Sequence, residues 1–155
     1  MAERAPERPE PHRRADYGHF ASILTRWMDN DVYGHVNNVQ YYSFFDTVVN
    51  GYLIAKGVLN PQTSSVIGLV VETHCNFFAS LTFPQAVDAG LRVARLGQSS
   101  VRYEIGLFAS GADAAAAQGH FVHVYVDRAT RRPVILPNAL HDVLGGLVRA
   151  PAGRP

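Results

Sequence analysis

The sequence predicts an α+β domain in which an antiparallel sheet of about five strands wraps around one long central helix. Three observations lead there. Residues 38–56 carry apolar side chains at helical spacing over about five turns. Beyond residue 64 the chain alternates apolar and polar residues with a period of two, in segments divided by short turns. No helical stretch lies between those segments, so parallel pairing, which needs long crossovers, is excluded.

Taken in order, residues 1–16 (MAERAPERPEPHRRAD) mix Pro6, Pro9 and Pro11 with Glu and Arg. They offer no aromatic or branched aliphatic side chain to bury, which predicts a disordered tail. Residues 20–27 read as a first strand, and the polar residues 29–37, with Gly34, as a loop. In the helix, Tyr41, Phe44, Phe45, Val48 and Tyr52 recur on one side, and Tyr42, Val49 and Leu53 widen that stripe. Such a helix should be largely buried. Asn37 or Asn38 can cap its start and Gly57 can end it. Strands follow over 66–78, around Val87–Val93, around Val101–Leu107 and around Val122–Val126, with turns at 79–85 and 97–99. Residues 137–147 suggest a short closing helix, and residues 149–155 a second disordered tail, leaving 17–148 as the folded domain.

Composition bounds the function. With 47% hydrophobic and 17% charged residues among 155, the balance is that of one globular domain. A formal charge of +1 creates no field that would draw in nucleic acid. No apolar run is long enough for a membrane span and no signal-peptide core opens the chain, which predicts a cytoplasmic protein without a membrane partner. Cys75 is the one cysteine, so it forms no internal disulfide and reads as a small buried hydrophobe.

Chemistry points to the junction where the most polar loop meets the most apolar helix, Arg26 through Asn38 (RWMDNDVYGHVNN). A helix start offers unpaired backbone N–H groups and a positive dipole end, which can stabilise an oxyanion. A nearby carboxylate, Asp29 or Asp31, can attack or activate water, and His35 can move protons. The plainer reading is that these residues cap the helix and anchor the loop. Asp29, Asp31 and His35 lack the further ligand cluster that a metal site needs, so neither a metal nor a cofactor is expected.

The stretch RWMDNDVYGHVNNVQY (26–41) closely resembles the hotdog-fold thioesterases of the 4-hydroxybenzoyl-CoA thioesterase type, whose pattern is Asp-x-Asp-x-x-Gly-His-Val-Asn-Asn leading into the helix. Later segments, VVETHCNFFASLTFP, GLRVARLGQSSVRYEIGLF, GHFVHVYVD and RRPVILP, are similar to that family too, so the resemblance spans about 20–147. It implies that Asp31 is the catalytic carboxylate, that the backbone at Asn38 polarises the thioester carbonyl, and that His35 assists. It further implies that Gly34, Val36, Asn37 and Tyr41 line the substrate, with coenzyme A phosphates on arginines, for which Arg131 and Arg132 are first candidates and Arg95 and Arg128 others. The implied protein is an acyl-CoA thioesterase acting as a homodimer or homotetramer with its site at the subunit boundary.

Two other functions stand beside hydrolysis. Hydratases of this fold carry an Asp-x-Asn-Pro-x-His element, whereas Asp31 and His35 are four apart with no proline between them; the dehydratase Gly-His-Phe-Pro is absent as well. A non-catalytic acyl-CoA binding module would have no need of Asp31. Glu72 and His74, two apart on what reads as a central strand, share a face and suit a structural hydrogen bond.

Overall fold

The computed structural model describes residues 7–150. Five strands, β1 (His19–Leu24), β2 (Val66–Phe77), β3 (Ala86–Leu96), β4 (Ser100–Ala109) and β5 (Ala117–Asp127), form one antiparallel sheet in the order β1-β3-β4-β5-β2. One long helix, α1 (Asn38–Ala55), follows β1, and a short helix, α2 (Asn138–Gly145), closes the chain. This is the hotdog architecture, and the expected α+β class holds.

The two periodicities explain how the layers meet. Val87, Ala89, Leu91 and Val93 of β3, and Val101, Tyr103, Ile105 and Leu107 of β4, alternate onto one face of the sheet and are fully buried. Against them α1 lays Tyr41, Phe44, Phe45, Val48, Val49 and Leu53. From α2, Leu140 and Leu144 seal one end of that core, and the chain beyond it is stitched to β3 by Val93 N–H to Leu147 O (2.9 Å) and Arg149 N–H to Val93 O (3.1 Å).

Four expectations need correction. Helix α1 is buried on one side only: Val39 and Ile54 are 63% and 48% exposed, and Tyr42 is exposed as well, so its outer side is apolar in part. Strand β2 is an edge strand, not a central one, and Leu69, Val70, Val71 and Phe77 are all exposed along it. Strand β1 stops at Leu24 because a single-turn 3-10 helix, Trp27–Asp29, is pinned by the Asp29 carboxylate accepting from Arg26 N–H at 2.7 Å. The last correction concerns the N-terminal segment.

Residues 12–16 are not a free tail. Arg13 bridges to Ala114, Arg14 pairs with Asp88 at 2.9 Å, and His12 N–H donates to Gln118 Oε1. Asp16, in a 3-10 turn (Arg14–Asp16), is buried, and its carbonyl accepts from the fully buried Arg92 at 3.2 Å. Immediately after it, the Tyr17 ring fills a hollow made by two glycines facing each other across β3 and β4. A Cβ on Gly106 would sit 2.6 Å from that ring, and one on Gly90 2.8 Å. The segment thus straps the sheet face opposite α1. It lacks branched aliphatics, but arginine and histidine find partners that only the folded sheet provides. At the other end Arg149 also belongs to the fold, and Arg149 Nη1 donates to Tyr17 O at 3.4 Å. The remainder of both expected tails, residues 1–6 and 151–155, lies outside the described residues.

Candidate active site

The polar loop before α1 is a closed unit. Asp31 N–H donates to His35 O (2.9 Å) and Gly34 N–H to Asp31 O (3.1 Å), while Asn30 and Val36 form an antiparallel bridge. Gly34 has φ +82°, a left-handed turn that glycine adopts without strain. The turn between β2 and β3 clamps the loop from outside: Val36 N–H donates to Leu81 O (2.8 Å), Thr82 Oγ1 to Gly34 O (2.8 Å), and Phe83 N–H to Asn30 Oδ1 (3.1 Å). These bonds tie Asp31 and His35 to the sheet as well as to their own loop.

The two aspartates have separate fates. Asp29 is 1% exposed; its carboxylate accepts from the Arg26 backbone and, at 2.8 and 3.1 Å, from the Arg26 guanidinium. Its carbonyl also accepts from Asn37 N–H at 2.8 Å. Asp31 is half-buried, and Tyr33 N–H donates to its Oδ1 at 2.8 Å, a turn that orients the carboxylate. No other hydrogen bond to that carboxylate occurs among the described residues. A carboxylate held by one oxygen and open at the other suits chemistry better than one saturated by an arginine.

The start of α1 decides which backbone donor is left over. Asn37 is the cap: its Oδ1 accepts from Val39 N–H (3.1 Å) and its carbonyl from Gln40 N–H (2.9 Å). With Asn37 N–H spent on Asp29, the Asn38 N–H at the first helical position has no hydrogen-bond partner among the described residues. A depression of about 390 Å³ lies against it, lined by Asp31, His35, Val36, Asn38, Tyr41, Phe77 and the three residues after it. Tyr41 is buried under this floor, edge-on to Phe77 at 4.9 Å, and burial raises its phenol pKa above the ordinary value.

Of the positions singled out in the sequence, Asp31, His35, Val36, Asn38 and Tyr41 meet in this depression. Gly34 and Asn37 line a neighbouring one of about 600 Å³ that Asp31 also borders, together with the 80% exposed Trp27 and the 94% exposed Val32. Arg131 and Arg132 are not brought there. They follow β5 in an exposed turn where Asp127 pairs with Val66, whereas the site lies by Phe77, which pairs with Ala117. Ten steps of strand, roughly 33 Å, separate the two ends. Residues 77–80 were missed in the sequence, since a strand's end carries no mark of what it abuts. Glu72 does form a side-chain contact, with His120 Nε2 at 2.7 Å, on the face away from α1.

Comparison with known proteins identifies the family. Residues 25–144 match the thioesterase-like superfamily, and the chain belongs to that family; thioester hydrolysis is the reaction class this membership supports. The crystal structure of a protein from Pseudomonas aeruginosa strain PAO1 is 55% identical, with a TM-score of 0.90 over 93% of this chain and 100% of that one. A second Pseudomonas aeruginosa protein, a candidate thioesterase, is 26% identical with a TM-score of 0.74 over 81% of this chain and 97% of its own. The 1,4-dihydroxy-2-naphthoyl-CoA thioesterase from Synechocystis shares the fold at 15% identity, with a TM-score of 0.74 over 81% of this chain and 94% of that one. A search of curated proteins finds no match. No helix among the described residues is long and apolar enough to cross a membrane.

Proposed function

We propose that the protein hydrolyses acyl-CoA thioesters at the depression between Asp31 and the start of α1. The observation that carries this reading is the unpartnered Asn38 N–H beside the half-engaged Asp31 carboxylate. The thioester carbonyl oxygen accepts from Asn38 N–H, whose dipole position favours the charge that grows there. Asp31 either draws a proton from water, which then adds to the carbonyl carbon, or attacks that carbon itself before water releases the acid. Collapse of the tetrahedral intermediate breaks the C–S bond, and the departing thiolate takes a proton, a role this reading gives to the exposed His35 that lines the same depression.

The same reading takes the assembly to be a homodimer or a dimer of dimers. A twelve-residue edge strand with exposed Leu69, Val70 and Val71 is an open template for pairing, and the apolar outer side of α1 lies uncovered. Antiparallel pairing of β2 with β2 of a second copy, centred on the strand, would put one copy's Val66 end beside the other's Phe77. Arg131 and Arg132 of the second copy would then lie near this site, where their guanidinium groups suit coenzyme A phosphates.

The test is turnover of a thiol-releasing acyl-CoA by Asp31→Asn. A fall of about 10²–10⁴-fold at an unchanged melting temperature is expected. Parent-level turnover by this variant would overturn the mechanism.

A further inference from the structure

The N-terminal strap covers the sheet face opposite α1, and its leading end also reaches the wall of the Asp31 depression. Arg8 Nη2 donates to Phe77 O at 2.6 Å, and the guanidinium lies over the Phe78 ring, 5.4 Å from its centroid. Phe77 and Phe78 both line the depression, and Phe77 packs edge-on against Tyr41, which lines it too. One exposed arginine thus holds the backbone of one wall residue and the ring of the next.

The wall has need of that hold. Phe77 is the last residue of the edge strand β2, and beyond it the Phe78 and Ala79 N–H groups both donate to one carbonyl, that of Ala116, at 2.8 and 3.0 Å. The strap grips the same stretch of chain. Gln118 Nε2 donates to Glu10 O at 3.1 Å, Gln118 Oε1 accepts from His12 N–H, and Ala115 N–H donates to His12 O at 2.9 Å. Strap and wall therefore share residues 115–118 as a common support. Between that anchor and the wall the sequence runs Arg8-Pro9-Glu10-Pro11. Each proline ring fixes its own φ and disfavours helical backbone in the residue before it, so Arg8 stands at the end of a stiff arm.

We propose that Arg8 is a positioning residue that fixes the Phe77–Phe78 wall and so sets how tightly the site holds acyl groups long enough to reach it. The inference rests on the hydrolase reading for where the substrate lies. With the thioester carbonyl at Asn38 N–H, a long acyl chain runs along the apolar lining of Val36, Tyr41, Phe77 and Phe78. Truncating the arginine removes both a charge-assisted hydrogen bond and a cation over a ring, and the wall is then free to shift. A short acyl group ends beside the reacting atoms and does not feel the wall.

The probes are two ketone analogues of acyl-CoA, one a methyl ketone and one a heptyl ketone, in which a methylene between sulfur and carbonyl prevents hydrolysis. Both are titrated calorimetrically into the full-length protein. Arg8→Ala should weaken binding of the heptyl ketone about tenfold and leave the methyl ketone at the parent's affinity. Arg8→Lys, which keeps a cationic donor, should restore most of the loss. Arg8 is exposed and the anchors at Glu10 and His12 remain, so both variants keep the fold. Equal weakening of the two ketones would mean that Arg8 holds coenzyme A instead of the wall, and no weakening of either would leave it without effect on the site; each result overturns the proposal. The hydrolase reading fails separately. A parent that turns over neither acetyl-CoA nor octanoyl-CoA would sink it while the ketone affinities still decide the role of Arg8, and a parent that binds neither ketone would overturn both.

Discussion

Asp29 and Asp31 carry the same group two residues apart in different surroundings, and on the proposed mechanism their substitutions should act differently. Asp29 is enclosed and saturated by Arg26, so Asp29→Asn removes a charge-assisted bond that shapes the turn. We expect it to cost about 1–3 kcal/mol of stability, read as a melting point lower by several degrees. Turnover per folded molecule should stay near the parent's. Asp31→Asn should show the reverse pattern, and His35→Ala, which removes an exposed group without a cap or core role, should fall between them in turnover. Melting curves and rates on the three variants separate the two effects. Loss of turnover in Asp29→Asn without a drop in melting temperature would move the chemistry to the first aspartate.

At the scale of elements, the N-terminal strap and the sheet face beneath it form a unit. Tyr17 meets Phe108 and Phe20 edge-on at 5.9 and 6.2 Å, and Arg92, buried beneath its ring, pairs with Glu104. Glycine at 90 and 106 makes room for the ring, which in turn covers backbone that glycine leaves bare. Tyr17→Ala should therefore cost about 3–5 kcal/mol, as truncation of a buried aromatic does. Removing residues 1–16 should lower the melting temperature by several degrees, because Arg14–Asp88 and His12–Gln118 go with them. An unchanged melting point after that deletion would show that the strap adds no stability.

For the molecule as a whole, two measurements follow from what is buried and what is left open. His123 is neutral in the fold, with its pKa lowered from 6.5 to about 4 by burial. The unfolded chain therefore binds the proton first as pH falls. Stability from this group is complete above about 6.5 and drains away between 6.5 and 4, by about 3 kcal/mol in all. Denaturant unfolding of the parent and His123→Phe should diverge across that window; parallel curves would place the ring in water. The open β2 edge and the uncovered side of α1 should be closed by a second copy. Light scattering at micromolar concentration should give twice the chain mass or more, and a particle of one chain mass would refute the pairing.

The sequence by itself determined the element types and their order, because the 3.6 and 2.0 periodicities are properties of the chain alone. Helix α1 was expected over 38–56 and spans Asn38–Ala55; β2 was expected over 66–78 and spans Val66–Phe77. The family pattern also singled out Asp31, His35 and Asn38, which do meet in one depression. Only the tertiary structure decided that β2 lies at an edge, since alternation names the faces of a strand but not its neighbours. The strap shows the same limit, for Arg14 and His12 look solvated until Asp88 and Gln118 arrive from more than seventy residues away. So do Arg131 and Arg132, which sit one strand's length from the site within their own chain. The buried His123 Nε2, which has no hydrogen-bond partner among the described residues, was invisible in the sequence for the same reason: whether a buried polar atom has a partner is settled by packing, and packing joins residues that the chain keeps apart.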